Sequence, residues 1–275
     1  TSNTATPYGF ITIVSTLAWG LGYFGMPHIL LRFMAIEDEK KLTLSRRIAT
    51  VWVVIAMFVA ISIGVVGNAM SKVGAIPQLE DSETIIIAIA SILSKHGVLA
   101  ALLAGIILAG ILAATMSTAD SQLLAASSSV SQNIIKEVFF PKLSDKASMI
   151  TARMTVVVVS LIAMFIARDS SSSVFKIVSF AWAGFGAAFG PVMLFSLFWK
   201  RTNLAGAFAG MVSGGVMVFV WKFIVRPLGG AWNIYELLPA FIVSSIFIIV
   251  VSLLTKAPDD EIVKEFESVD TADIN

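Results

Sequence analysis

Cysteine is absent from all 275 residues, which excludes disulfides, thiolate metal sites and cysteine nucleophiles. Histidine occurs only as His28 and His96, too seldom for a histidine-built metal centre. Charge is scarce as well: Asp, Glu, Lys and Arg make up 13% of the chain, against roughly 25% in a soluble domain. A net charge of +1 gathers no basic face, so nucleic acid is not expected as a partner. What fills the chain is apolar, at 57% hydrophobic residues and a mean hydropathy of +0.89. These values predict an all-α integral membrane protein. The chain opens Thr1-Ser2-Asn3, with no initiator Met and no cationic leader with a cleavage site. It reads as a fragment whose N-terminal part is missing.

A bilayer core takes about 20 apolar residues to span, and about seven stretches qualify: 8–35, 46–70, 98–126, 148–167, 174–199, 203–225 and 231–254. The apolar stretch 83–94 is too short and predicts a helix lying outside, between the second and third spans. Alternation through these spans gathers Arg32, Arg46, Arg47, Lys136, Lys200 and Lys256, with seven further basic residues, on one side. Lys72, Lys95, Arg168, Lys176, Lys222 and Arg226 fall on the other. Basic residues concentrate on the cytoplasmic side, so the first span enters from outside and the C-terminus is cytoplasmic. The acidic tail 257–275 predicts a short helix or disorder.

Two places break the apolar pattern. In the first span, Gly20, Gly22, Gly25 and Pro27 fall within Trp19-Gly20-Leu21-Gly22-Tyr23-Phe24-Gly25-Met26-Pro27-His28. Glycine costs about 1 kcal/mol and proline about 3 kcal/mol in a helix interior. Irregular backbone at membrane depth survives where protein buries it or where it lines a cavity, and transporters break helices at their binding sites. The alternative is a kinked packing helix. Trp19 and Tyr23, one turn apart on one face, read equally well as site or core aromatics.

The second place is Met116-Ser117-Thr118-Ala119-Asp120-Ser121-Gln122, after the apolar run Val98–Ala114. Residues three and four apart share a helix face, so Ser117, Asp120 and Ser121 make one polar stripe with Thr118 beside it. Polar groups inside a span usually face the bundle interior or a water-filled path. Hard cations prefer oxygen ligands, and two hydroxyls with the Ala114 carbonyl a turn earlier supply part of a shell for Na+. Serine and threonine that only bond back to the i−4 carbonyl are the plainer explanation for Ser117 and Thr118. Asp120 asks for a cation, a proton or a basic partner, and with Ser121 is a candidate for a second cation or a proton. Elsewhere, Gly186 with Gly190, and Gly206, Gly210 and Gly214, stand four apart and predict close helix packing. Arg168–Ser173 reads as an external loop, and no constellation of acid, base or metal ligands suggests an enzyme.

These residues carry a resemblance. The Trp19–Leu30 segment with Arg32-Phe33-Met34, Met116-Ser117-Thr118, and Ser179-Phe180-Ala181-Trp182-Ala183-Gly184-Phe185-Gly186-Ala187-Ala188-Phe189-Gly190-Pro191 resemble the sodium:solute symporter family, above all its proline-carrying bacterial members. The resemblance runs through essentially the whole chain. It implies the second half of a leucine-transporter-like secondary transporter of about thirteen spans, built on two inverted five-helix repeats. On that basis 1–199 is the second repeat, 200–256 two peripheral helices and 257–275 a cytoplasmic tail.

The same resemblance implies site residues. Ala114, through its carbonyl, and the hydroxyls of Ser117 and Thr118 would bind sodium, with further ligands from the missing N-terminal half. Trp19, Tyr23 and Pro27 would line the substrate site, and Arg32 matches a sensitive basic position. Met26 departs from the glutamine frequent in the proline carriers. The implied activity is sodium-coupled symport of L-proline across the bacterial inner membrane, with Na+ as coupling ion and no organic cofactor. The alternatives are symport of another small solute (pantothenate, another amino acid or a carboxylate) and a solute-sensing membrane module.

Overall fold

A computed structural model describes residues 8–38, 40–168 and 174–270. In chain order, α1 (Phe10–Ala18) runs into a 3-10 stretch (Trp19–Gly25) and then α2 (Pro27–Met34). The long α3 (Lys41–Lys72), the short α4 (Ile85–Leu93) and α5 (Val98–Ser128) follow, and α5 continues as a π-helical stretch to Phe139. Next come α6 (Asp145–Ile166), α7 (Val174–Phe198), α8 (Leu204–Val220), α9 (Leu237–Leu254) and α10 (Asp260–Asp270). There are no strands among the described residues. Among the described residues six helices are long and apolar enough to cross a membrane, and a seventh crossing is counted if the bent pair Phe10–Gly25 and Pro27–Met34 is one span. The expected spans each meet one of these helices, and the short stretch near 83–94 is α4. Within the predicted tail Asp260–Asp270 forms α10, and residues 271–275 of it, like residues 169–173 of the predicted external loop, lie outside the described residues.

Helix ends follow local chemistry. Met26 is extended (φ −81°, ψ 115°) because the residue before a proline is pushed out of the α region. Pro27 then opens α2 at a position where its missing N–H costs nothing. Asn203 caps α8 by accepting the Gly206 N–H at 2.8 Å, which satisfies one of the donors a helix start leaves free.

The chain divides into two compact units, residues 1–35 with 166–275, and residues 36–165. In the first, α7, α8 and α9 pack closely around a small-residue core that includes Ala183, Ala187, Val218, Leu237 and Ala240. The glycines expected to pack do so. A Cβ on Gly206 would strike Ser252, one on Gly210 would strike Ile248, and one on Gly214 would strike the Ala187 backbone. Ser244 Oγ donates to the Gly210 carbonyl at 2.8 Å, adding a buried polar tie where apolar contact alone gives little selectivity in lipid. In the second unit, α4 lies against α3 and α5, with Ile85 filling the notch at Gly67. Gln132 Nε2 donates to Ser148 Oγ at 2.8 Å, tying the π-helical stretch to α6.

Candidate solute and ion site

The break in the first span is a tightening, with one extended residue. Trp19–Gly25 keeps a 3-10 spiral, and the axis bends by 49° at Met26. Two of the three glycines serve close packing against α7. A Cβ on Gly22 would fall inside the Trp182 indole, and one on Gly25 would meet the backbone of Phe185 to Gly190. Gly186 returns the favour, with the Gly22 Cα against it. Gly20 has open space on its Cβ side. Packing and breakage, posed as alternatives from the sequence, are one arrangement: the helix tightens so that its backbone can lie against α7.

That contact organises the aromatics. Trp182 Nε1 donates to the Trp19 carbonyl at 3.0 Å, and the two indoles stack with centroids 5.7 Å apart. Tyr23 meets the same Trp182 edge-on at 4.8 Å. Trp19 and Tyr23 therefore share one platform, Trp182, which the sequence reading carried only inside a matching segment. Trp19 also stacks on Phe175 at 5.1 Å and on Tyr235 at 5.7 Å. Trp19 is half-buried, while Tyr23 and Pro27 are exposed beside the bend. Met26 is buried, and Arg32 sits in the last turn of α2.

The predicted ion ligands belong to the other unit. Ala114, Ser117 and Thr118 lie in α5, all exposed. Thr118 Oγ1 donates to the Ala114 carbonyl at 3.1 Å, so two hard oxygens are already side by side. Ser121 Oγ donates to the Ser117 carbonyl at 2.8 Å. Both are the i−4 bonds of a polar helix face, and the first also presents an oxygen pair of the sort a sodium ion takes up. Asp120 is exposed and forms no ion pair among the described residues. No cluster of three His, Asp or Glu residues suited to a metal occurs among the described residues.

The buried carboxylate lies elsewhere, at Glu236, which is 1% exposed. Arg226 Nη1 reaches it at 2.7 Å and Lys222 Nζ at 3.7 Å. Lys222 also sits 3.8 Å above the Phe180 ring. From the sequence Lys222 and Arg226 fall on the outer side, and Glu236, ten residues from Arg226, does not stand out. An acid and two bases bracketing a Gly229-Gly230 turn were the available signal. A cleft of about 620 Å³ opens where α7 and α9 end and α8 and α10 begin. None of the predicted solute or ion residues lines it.

An all-helical, multi-pass membrane protein with a bent first span and a hydroxyl-bearing helix is the class so defined. The chain belongs to the sodium:solute symporter family, whose sequence profile matches residues 3–214. It is 43% identical over 97% of its length to the sodium/proline symporter of Haemophilus influenzae, covering 52% of that protein. It is 42% identical over 90% of its length to the osmoregulated proline transporter of Bacillus subtilis, covering 49%. Against the Escherichia coli sodium/proline symporter the identity is 41% over 95% of the chain and 51% of the relative. The chain thus spans about half the length of the curated relatives it matches. No solved structure matches it.

Proposed function

We propose that this chain forms the second half of a sodium-coupled carrier that imports L-proline, joined in the full-length protein to a first half that completes both sites. The observation that carries the reading is the meeting of Trp19 and Tyr23 on Trp182 beside the bend. It occurs in a chain 43% identical to a sodium/proline symporter. Residues 1–199 act as the second inverted repeat, 200–256 as two peripheral helices and 257–275 as a tail. The carrier sits in the bacterial inner membrane with its C-terminus in the cytoplasm, as the distribution of basic residues supports.

Sodium binds from outside at the Ala114 carbonyl and the Ser117 and Thr118 hydroxyls and favours the outward-open state. Proline then docks its apolar ring against Trp19 and Tyr23 near Pro27. Coupling needs each ligand to prefer one state over the other, and reciprocity requires proline to tighten sodium binding by the factor by which sodium tightens proline. The sodium gradient drives the cycle, so the reading involves no organic cofactor and no chemical catalysis.

The test is uptake of labelled proline by proteoliposomes of the full-length protein, with and without an inward sodium gradient. Sodium-dependent accumulation is expected. Accumulation of pantothenate but not proline would keep the carrier and overturn the solute, with Met26 the first residue to exchange. No accumulation of any small solute would overturn transport in favour of a sensing module.

A further inference from the structure

Tyr235 stands just ahead of α9, in the segment joining the two helices taken as peripheral, yet its contacts run to the broken span. Its backbone N–H donates to Ser15 Oγ in α1 at 3.0 Å. Its hydroxyl donates to the Ser179 carbonyl in α7 at 2.6 Å. Its ring lies nearly parallel to Trp19, with centroids 5.7 Å apart and a 15° interplanar angle. The residue is 6% exposed. One residue thus ties to α1 through its backbone and to α7 through its hydroxyl, and lays its ring on Trp19.

The segment carrying Tyr235 is fixed at several points. Trp221 Nε1 donates to the Ile234 carbonyl at 3.2 Å, and Arg226 Nε donates to Asn233 Oδ1 at 3.1 Å. Arg226 and Lys222 then hold the buried Glu236 carboxylate. Gly229 and Gly230, at φ 73° and 58°, turn the chain back in a conformation that side-chain-bearing residues seldom adopt. A buried carboxylate held by two cations fixes register more surely than it adds stability. The residue so held is the immediate neighbour of Tyr235.

We infer that Tyr235 is a positioning residue for the solute site: it sets the plane of the Trp19 indole, and the Glu236 ion cluster holds Tyr235 in place. The inference rests on the reading of Trp19 as part of that site. It makes the α8–α9 pair a support of solute affinity, where the sequence suggested a periphery. A ring stacked on one side of an indole limits its χ2 swing, and loss of such a support in a preorganised site loosens binding without touching the ligand.

A double-mutant cycle in the full-length protein tests this, since residues acting through one another give non-additive effects. Proline KM and Vmax are measured at saturating sodium for W19F, Y235L, Y235F and the W19F/Y235L pair, corrected for protein in the vesicles. We expect W19F and Y235L each to raise KM about fivefold or more with Vmax within about twofold, and the pair to be no worse than the weaker-binding single variant. Y235F, which keeps the ring, should restore most of the affinity lost in Y235L. Multiplying effects in the pair, or a Y235L defect confined to Vmax, would reduce Tyr235 to a packing residue. A KM raised by W19F and untouched by Y235L overturns the inference and leaves the site reading standing. A KM untouched by W19F overturns both. Should Y235L not assemble, E236Q replaces it in the cycle with the same expected non-additivity.

Discussion

Thr118 and Ala114 share an i−4 hydrogen bond that an ordinary helix would also form, so their role is decided by substitution. Thr118→Ala should raise the sodium concentration for half-maximal proline uptake at least tenfold. Thr118→Ser, which keeps the oxygen, should stay within about threefold, as read from sodium titrations of initial uptake rate. Asp120→Asn tests the second-ion assignment. If Asp120 takes a second cation or a proton, the variant should alter the sodium dependence of uptake or the ion-to-proline stoichiometry in dual-label flux, and a variant that leaves both unchanged would overturn the assignment. Tyr235 makes a separate prediction, since the crossing helices are Leu204–Leu228 and Leu237–Leu254, the last starting later than the expected 231, and Tyr235 lies between them. Burial pushes its phenol up first and the Glu236 charge further, with Arg226 offsetting part. The folded state therefore keeps the phenol protonated where the unfolded chain would ionise it. The stabilisation is complete below the ordinary tyrosine value of about 10 and is lost as pH rises beyond it. Melting in nanodiscs between pH 9 and pH 11 should fall more steeply for the parent than for Y235F.

The first span works as an element because its irregularity and its packing have one cause. Gly22 and Gly25 have no room for a Cβ, whereas Gly20 faces open space. Gly186, facing Gly22 from α7, has no such room either, so substitutions at Gly20 and Gly186 should part company. Gly20→Ala should change stability by less than about 1 kcal/mol, in the stabilising direction expected of alanine in a helix. Gly186→Leu should destabilise by about 1–3 kcal/mol or more, since overpacking displaces backbone, and should lower proline affinity by tilting the Trp182 platform. Thermal unfolding of the purified protein gives the first comparison and proline binding the second. A Gly186→Leu protein as stable as the parent would mean that α7 and the broken span do not approach as described.

At the scale of the whole molecule, the two units carry different parts of the proposed cycle. The predicted ion ligands belong to the 36–165 unit and the predicted solute aromatics to the other, and in the proposed carrier both sets fall within the second repeat. The 275-residue chain alone should give no sodium-dependent proline accumulation, since in the proposed carrier both sites draw ligands from the first half. Uptake restored by co-reconstituting a separately expressed first half would support the division. Glu236→Gln tests the anchor of the last helix pair. With Arg226 half exposed and screened, removing the charge should cost about 1–3 kcal/mol, below the figure for a fully buried pair.

The sequence by itself determined the all-helical membrane class, the spans and the family. Each rests on local quantities: length of apolar run, scarcity of charge, and motifs such as Met116-Ser117-Thr118 that stand contiguous in the chain. It also placed the small-residue packing faces, because a four-residue spacing is a property of one helix. Tertiary structure decided what joins residues far apart in sequence. Trp182 is 163 positions from the Trp19 carbonyl it binds, and Tyr235 is 220 from the Ser15 hydroxyl it meets. No periodicity encodes those pairings, since they depend on which glycine faces let two backbones close together. Glu236 is the clearest case: beside Tyr235 in the sequence it is one more acid near a turn, and only the folding back of that turn buries it against Arg226 and Lys222.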